Sequence, residues 1–177
     1  GSVGKPFDVF QVAIFNEKKE VVTPGINGEI GVSGYGVLKG YLNDSDAFRE
    51  SMQLGYFMTG DLGYIDTDGF LHYVDRKKDL IIKAGVNIAP SQIDGLLQTH
   101  PSVNEAATVG KPDPFLGETI KSFIILKENQ AVDAKELSSF CKAELGDFKT
   151  PSEIKFVESL PKGPSGKILK RKLREIN

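Results

Sequence analysis

Three short stretches carry residue types and spacings that could do chemistry. In YFMTGDLG, Asp61 follows a glycine between a predicted turn and a predicted hairpin. A carboxylate there could cap backbone N–H groups, or it could accept two hydroxyl hydrogen bonds from a diol such as that of a ribose. In VDRKKDLIIKAGVNIAP, Arg76 either belongs to a solvated connector or donates to a nucleotide oxygen through its rigid fork. Gly85, between two apolar segments, marks either a bulge or a place where a slender ligand passes the backbone.

The third stretch is PKGPSGKILKRKLRE, close to the C-terminal end of the sequence. Its glycines and prolines predict a shaped loop, with Lys167 at the exit of the loop and a short basic helix after it. Three roles compete for this segment: a solvated basic tail, a nucleic-acid or membrane patch, or one lysine delivered to a negatively charged reaction centre. Residues 161–177 contain six Lys/Arg and one Glu, whereas the whole chain has a formal net charge of -2. This uneven charge argues against nucleic-acid binding, which needs a broad basic face.

A β-rich region, residues 1–77, is predicted to position Asp61 and Arg76. The segments QVAIFN and GEIGVSG predict strands, and TPGING between them predicts a turn. GYIDTDGFLHYVDR predicts a hairpin, in which the Asp68-Gly69 pair suits a tight turn. DSDAFRESM predicts a short capped helix.

A second region, residues 78–177, is predicted to form a small α+β layer structure that carries Lys167. DLIIKAGVNIAP predicts a β-hairpin or a strand pair, and a helix is predicted to start at Pro90 or Ser91. Further strands are predicted at NEAATVG, IKSFIILKE and EIKFVESL. In the helix predicted at DAKELSSFCKAEL, one face has helical spacing and includes Cys141, which is therefore predicted to be buried rather than reactive.

Several classes of protein are excluded by composition and motif spacing. No run approaches the roughly 18 apolar residues of a membrane span, and no signal peptide opens the sequence. The single cysteine excludes an intrachain disulfide and a cysteine-based zinc site. His72 and His100 lack neighbours at zinc-ligand spacing, so both are predicted to be structural and no metal site is expected. GPSGK lacks the P-loop spacing, and no dinucleotide-binding GxGxxG follows a strand. The predicted compartment is the cytoplasm.

In this order and at these intervals, the stretches resemble one superfamily. The segment from YFMTGDLG to GVNIAP, followed by LPKGPSGKILKRKLRE, is similar to the C-terminal third of the acyl-adenylate-forming enzymes. These include acyl-CoA synthetases, peptide-synthetase adenylation domains and beetle luciferase. GSVGKP, GEIGVSG and GYGVLKGYLND also fit. The resemblance implies an α+β fold, in which residues 1–77 form the β-rich end of the large N-terminal adenylating domain. Residues 78–177 would be a small mobile C-terminal domain, a three-stranded sheet flanked by helices plus a two-stranded hairpin.

The resemblance also implies a reaction and a role for each site residue. Such enzymes join a carboxylic acid to ATP with the help of Mg2+, and then pass the acyl group to a thiol, usually that of CoA. Asp61 and Arg76 would bind the ribose of ATP or AMP, Lys78 would be the hinge, and Gly85 would line the pantetheine path. Lys167 would be the catalytic residue that bridges the attacking carboxylate and the α-phosphate during adenylation.

Departures from the family pattern refine this expectation. The large N-terminal portion and its phosphate loop lie outside the sequence, so the chain is expected to be an inactive fragment without a tightly bound cofactor. Its expected partners are the missing N-terminal domain, a carboxylic acid and CoA. Gln92 stands where relatives usually carry a glutamate. The DRKKD form favours a CoA ligase, with a fatty acid as the first candidate substrate. The alternatives are an adenylation domain that loads a carrier protein and a stand-alone module that binds CoA or a partner without catalysis.

Overall fold

The computed structural model describes residues 2–176. It divides into two compact units, Gly1–Lys78 and Asp79–Asn177. Each unit has its own β-sheet, and the helices are few and short. The predicted α+β fold class is confirmed. Within residues 2–176, no helix is long and apolar enough to cross a membrane.

Unit 1 is built on one antiparallel sheet. Its strands are β1 (Phe10–Phe15), β2 (Gly28–Gly34), β3 (Met52–Gln53), β4 (Tyr56–Ile65) and β5 (Leu71–Arg76). They pair in the order β1-β2-β4-β3, and β5 pairs with β4. The helix α1 (Ser45–Glu50) precedes β3, and the Asp44 carboxylate caps it by accepting the Ala47 N–H at 3.0 Å. The predicted strands and the capped helix of this region are therefore confirmed.

Packing in unit 1 depends on β1 lying close against its neighbours. Phe15 is 1% exposed, and a Cβ built on Gly31 of β2 would lie 2.5 Å from its ring. Glycine at this position therefore lets the ring cover the neighbouring strand. The predicted hairpin of β4 and β5 forms, and Asp68 and Gly69 lie in its tight turn, as predicted. The Gly69 N–H donates to the Asp66 carbonyl at 3.0 Å, and Gly69 has a φ of +82°. The Asp66 carboxylate organises this turn by accepting the N–H groups of Asp68 and Phe70.

Unit 2 is a mixed sheet with three helices. Its strands are β6 (Ile81–Lys83), β7 (Val86–Ile88), β8 (Val103–Asp113), β9 (Gly117–Leu126) and β10 (Glu153–Phe156). Its helices are α2 (Pro90–Thr99), α3 (Ala134–Leu145) and α4 (Lys170–Arg174). β9 pairs antiparallel with β8 and parallel with β10. The β6–β7 hairpin joins β9 through one bridge, between Lys83 and Gly117.

The β8–β9 pair has an apolar cluster on each face, because alternate side chains of a strand point to opposite sides. One cluster gathers buried residues of α2, α3 and the β6–β7 hairpin, and includes Cys141. The other gathers residues of β8, β9 and the C-terminal segment: Ala107, Val109, Phe123, Leu160 and Leu173. Cys141 is buried as predicted, and burial raises the pKa of its thiol to about 11, which leaves it unreactive at neutral pH.

Candidate functional site

Asp61 and Arg76, which the sequence separates by a loop, lie opposite each other across two strands of unit 1. They are register partners in the antiparallel pair of β4 and β5. The Arg76 Nε lies 3.0 Å from the Asp61 Oδ1, and the two side chains are 49% and 30% exposed. The sheet therefore brings together two of the residues that the sequence singled out, and it places them at a partly open edge.

The Asp61 Oδ1 atom retains capacity to accept hydrogen bonds. It is buried and has no hydrogen-bond partner among the described residues. The guanidinium of Arg76 is close enough for an ion pair, but its N–H does not point at this oxygen well enough to form a hydrogen bond. An ionised carboxylate offers about four lone-pair sites. Although Oδ1 itself is covered, the Asp61 side chain is 30% exposed, so its carboxylate suits a ligand that carries two neighbouring hydroxyl groups.

Two side chains that sequence reasoning missed hold the turn before Asp61. The Thr59 hydroxyl donates to the Ile30 carbonyl at 2.8 Å and accepts the Asp61 N–H at 3.1 Å. Gly60 has a φ of +73°, which favours glycine. Its N–H donates to the Glu29 Oε1 at 3.2 Å. No local pattern predicts the contact with Glu29, because 31 residues separate Gly60 from it.

Glu29 also contacts the segment where unit 1 ends. Its Oε2 lies 2.8 Å from the Lys77 ammonium, and the Glu29 side chain is only 16% exposed. A depression of about 430 Å³ opens beside these groups, lined by Thr59, Gly60, Arg76, Lys77 and Lys78. Cationic side chains therefore dominate one side of the depression, which suits an anionic ligand.

Lys78, the predicted hinge residue, is the middle residue of a 3₁₀ turn, Lys77–Asp79. It is also the last residue of unit 1. The hinge role itself stays a prediction.

Gly85 is a turn residue, and the interpretation as a bulge is wrong. Ala84 and Gly85 are the two central residues of the β6–β7 hairpin, with φ values of +49° and +78°. Two-residue hairpin turns of type I′ need positive φ at both positions. A Cβ at Gly85 would meet nothing within 4 Å, so the backbone angle and not crowding explains this glycine. Its place on the pantetheine path stays a prediction.

Lys167 lies at the exit of an ordered loop in unit 2, directly after the turn at residues 164–166. The loop is closed by three backbone hydrogen bonds: Gly163 N–H to Lys167 O, Gly166 N–H to Gly163 O, and Leu169 N–H to Pro161 O, at 2.9, 2.9 and 2.8 Å. The Lys167 side chain is exposed, and nothing within residues 2–176 forms an ion pair or hydrogen bond with its ammonium. The loop thus presents one uncompensated positive charge.

Ion pairs anchor both ends of this loop. Before the loop, the Lys162 Nζ lies 2.8 Å from the Glu105 Oε2, with side chains that are 42% and 32% exposed. After the loop, the Lys170 Nζ lies 3.1 Å from the Asp94 Oδ2, with side chains that are only 16% and 15% exposed. Sequence reasoning missed both acidic partners, since they lie 57 and 76 residues away along the chain.

Gln92, the residue that departs from the family pattern, is exposed at the start of α2. Its Oε1 accepts a hydrogen bond from the Lys149 ammonium at 2.9 Å. A glutamate at this position would form an exposed ion pair with the same lysine, worth about 0–1 kcal/mol. The substitution therefore has little consequence for the fold.

Both histidines have local structural partners. The His72 Nε2 lies 2.7 Å from the Asp66 Oδ2, and this contact lowers the pKa of Asp66. The His100 Nδ1 accepts the Ser102 N–H at 3.3 Å. Among residues 2–176, no group of three His, Cys, Asp or Glu side chains is arranged to hold a metal ion.

Similarity to known proteins identifies the class to which this fold and these residues belong. Residues 92–167 match the AMP-binding enzyme C-terminal domain family. The chain belongs to the acyl-adenylate-forming enzyme superfamily and corresponds to its C-terminal portion.

Three CoA ligases illustrate the relationship at the level of sequence. The chain is 43% identical over 171 residues to an oxalate–CoA ligase of Arabidopsis thaliana, covering 97% of the chain and 33% of the relative. It is 44% identical over 177 residues to a 2-succinylbenzoate–CoA ligase of Bacillus cereus, covering 99% and 36%. It is 40% identical over 176 residues to a long-chain-fatty-acid–CoA ligase of Bacillus subtilis, covering 99% and 31%. The chain therefore spans about a third of the length of these relatives.

Solved structures agree with this assignment. The o-succinylbenzoate CoA synthetase of Bacillus subtilis, in complex with its acyl-adenylate intermediate, superposes with a TM-score of 0.91 at 37% identity. The match covers 100% of the chain and 36% of that structure. The same synthetase in complex with ATP and a magnesium ion gives a TM-score of 0.89 at 38% identity, covering 98% and 36%.

Proposed function

We propose that this chain is the C-terminal third of an AMP-forming acyl-CoA ligase. Residues 1–77 then complete the large adenylating domain, and residues 78–177 are the small domain that turns about Lys78 between two half-reactions. The observation that carries this proposal is the cross-strand pair of Asp61 and Arg76, whose side chains lie 3.0 Å apart and remain 30% and 49% exposed. The pair suits the ribose of ATP and of the acyl-adenylate, because Asp61 can accept from both hydroxyls while Arg76 limits the repulsion from the phosphates.

In the first half-reaction, an oxygen of the substrate carboxylate attacks the α-phosphorus of ATP. The bond between the α- and β-phosphates breaks, and pyrophosphate leaves. Negative charge builds on the oxygens around the α-phosphorus, and a positioned cation stabilises that charge. Lys167 is the residue proposed for this role, since its ammonium is exposed and has no competing partner within residues 2–176. Magnesium, when bound, neutralises part of the phosphate charge, and no described residue of this chain is assigned to it.

In the second half-reaction, the CoA thiol attacks the acyl carbon and AMP leaves. Lys167 has no task there, because no phosphoryl bond breaks. Gly85 and the β6–β7 hairpin are proposed to lie beside the pantetheine arm in this step. The reported relatives are CoA ligases, which supports CoA as acceptor over a carrier protein. We place the activity in the cytoplasm, as expected from the sequence.

The identity of the carboxylic acid substrate is proposed from the acids for which the relatives are named. A medium- or long-chain fatty acid is the first candidate, supported by the long-chain-fatty-acid–CoA ligase. Oxalate and 2-succinylbenzoate are the alternatives, because relatives of similar identity are named for them. ATP–pyrophosphate exchange by the full-length polypeptide with palmitate, oxalate and 2-succinylbenzoate will separate the three.

Replacing the proposed catalytic lysine gives the sharpest test. We expect Lys167→Gln in the full-length polypeptide to slow ATP–pyrophosphate exchange by about a hundredfold or more, because the transition-state charge loses its cation. Transfer to CoA from a supplied acyl-adenylate should change by less than about threefold. Lys172→Gln, which removes an exposed lysine of α4, is the matched control. Equal loss of both half-reactions would refute the role of Lys167, and exchange with none of the three acids would refute the proposed substrates.

A further inference from the structure

A buried ion pair lies next to the loop that carries Lys167. Asp94 projects from α2, and Lys170 is the first residue of α4, three positions after Lys167. Their charged atoms are 3.1 Å apart, and both side chains are about five-sixths buried, at 15% and 16% exposed. The ten other ion pairs of the described residues each include at least one side chain that is more exposed than either of these.

This pair is poorly suited to stabilise the fold. The Asp94 Oδ1 is buried without a hydrogen-bond partner in the described chain. Burial raises the pKa of Asp94, and the charge of Lys170 together with hydrogen bonding from Thr108 and Lys170 offsets that effect only in part. A raised pKa in the folded state means that ionisation of Asp94 opposes folding as the pH rises through that pKa. Buried ion pairs of this kind often cost stability relative to apolar side chains, but they can fix one arrangement of the chain.

The ion pair of Asp94 with Lys170 fixes the end of the Lys167 loop that leads into α4. α4 has only five residues, which is too short to be stable by itself. Its position therefore depends on tertiary contacts. Leu173 is 1% exposed in the apolar cluster, Lys170 pairs with Asp94, and the Arg174 guanidinium lies 3.8 Å from the Asp79 Oδ1 with 30% of its side chain exposed. Of the two ion pairs, that of Lys170 is the closer and the more buried. The last hydrogen bond of the loop, from the Leu169 N–H to the Pro161 carbonyl, closes directly before Lys170.

The near end of the loop is held differently. Leu160 is 6% exposed and packs in the same cluster as Leu173. The ion pair of Lys162 with Glu105 is half-exposed, so solvent weakens it. The buried pair of Lys170 with Asp94 is therefore the stronger polar anchor.

We propose that Asp94, through Lys170, is a positioning residue for Lys167. The pair orders the backbone that follows the loop. Because the backbone at Lys167 is then already in place, only the side chain of Lys167 needs to be ordered during adenylation. Asp94 touches no substrate in this proposal. The proposal rests on the proposed function, in which Lys167 serves the adenylation step.

Hydrogen–deuterium exchange tests the positioning without any substrate. In the full-length polypeptide, we expect Asp94→Asn to speed exchange of the amides in residues 161–169 by about tenfold or more, with β8 and β9 unchanged. Lys170→Arg alone, which keeps both charges of the pair, should retain slow exchange. Asp147→Asn is the matched control, because Asp147 forms an exposed ion pair with Lys142 in the same unit.

A second variant separates positioning from misfolding. The double replacement Asp94→Asn with Lys170→Met removes both charges, so no unpaired buried charge remains. The double variant should fold and keep fast exchange in residues 161–169. Slow exchange there in both variants would overturn the proposal. An equal acceleration throughout β8 and β9 would also overturn it, since the pair would then serve the whole unit.

The kinetic prediction concerns one half-reaction. Asp94→Asn should lower kcat for ATP–pyrophosphate exchange by about tenfold, because a displacement of the order of 1 Å in a positioned group is costly. The KM for ATP should stay within about twofold, since Asp61 and Arg76 are untouched, and transfer from a supplied acyl-adenylate to CoA should be unchanged. If Lys167→Gln leaves exchange of pyrophosphate intact, the proposed function fails. If Lys167→Gln abolishes it and Asp94→Asn has no effect, only the positioning proposal fails.

Discussion

The two candidate functional regions hold their charged side chains in different ways. In unit 1, Asp61 and Arg76 lie on adjacent paired strands and already contact each other, and Thr59 and Glu29 hold the turn beneath them. In unit 2, Lys167 lies at the exit of a loop. Its side chain is exposed and its ammonium has no polar partner in the described chain, while the ends of the loop are anchored. The strands of unit 1 hold a charge in one place, whereas the loop of unit 2 presents a charge that can be delivered.

This difference agrees with the proposed chemistry. A nucleotide that stays bound through two half-reactions needs a site that does not rearrange, which paired strands provide. A cation needed in only one half-reaction gains from a loop position where its side chain makes no competing contacts. The comparison also predicts how substitutions in the two regions should differ: those in unit 1 should weaken nucleotide binding, and those near the loop should affect one step or local order.

The largest effect expected in unit 1 follows from Asp61→Asn. The replacement keeps the shape of the side chain but removes the charged acceptor, so we expect about a hundredfold weaker binding of AMP or ATP. Isothermal titration of the full-length polypeptide with AMP measures this directly. Asp68→Asn, in the exposed hairpin loop, is the matched control. Unchanged affinity in Asp61→Asn would remove Asp61 from the nucleotide site.

A smaller effect is expected where Glu29 supports that site. Glu29→Ala should weaken AMP binding by about tenfold, because the Gly60 N–H and the Lys77 ammonium both lose their acceptor. Glu29→Gln keeps an oxygen for the Gly60 N–H and loses only the charge, so its effect should be about threefold or less. Titration with AMP distinguishes the two variants. If Glu29→Ala and Glu29→Gln bind AMP equally weakly, the ion pair of Glu29 with Lys77, and not the hydrogen bond to the Gly60 N–H, supports AMP binding.

The smallest effect is expected at a second anchor of the C-terminal segment. Lys121 is 2% exposed, and its ammonium contacts the Glu153 Oε1 at 2.8 Å and the Ile176 carbonyl at 3.0 Å. Glu153→Gln leaves this buried cation without its counter-charge, so we expect a loss of about 1–2 kcal/mol in the free energy of unfolding at neutral pH. Urea titration of the variant and the wild type measures the difference.

The pH dependence of that difference has a definite sign. Hydrogen bonds from Lys111 and then Lys121 lower the pKa of Glu153 below its ordinary value of 4.5. A lowered pKa in the folded state means that the stabilisation is complete above 4.5 and is lost as the pH falls through the folded-state pKa. The gap between wild type and Glu153→Gln should therefore close in acid. If the difference in free energy of unfolding between wild type and Glu153→Gln stays constant with pH, the ionised carboxylate of Glu153 is not its cause.

Local sequence patterns predicted most of the elements. The periodicities gave the hairpins, the capped helix α1 and the apolar face of α3, because strand and helix spacings act over a few residues. They were wrong at Gly85 for a local reason of another kind. The positive φ at Ala84 and Gly85 makes these residues the turn of the predicted β6–β7 hairpin, so the bulge that was also considered there does not form.

What the sequence determined by itself is the class of fold and the motif residues Asp61, Arg76 and Lys167, whose order and spacing are characteristic of the superfamily. Only the tertiary structure decided their partners. The register of β4 and β5 places Arg76 beside Asp61, Glu29 reaches the turn from another strand, and Asp94 meets Lys170 across 76 residues. Such contacts depend on how strands pair and on which surfaces are buried together, and both are set by the packing of the whole unit and not by the neighbours of a residue along the chain.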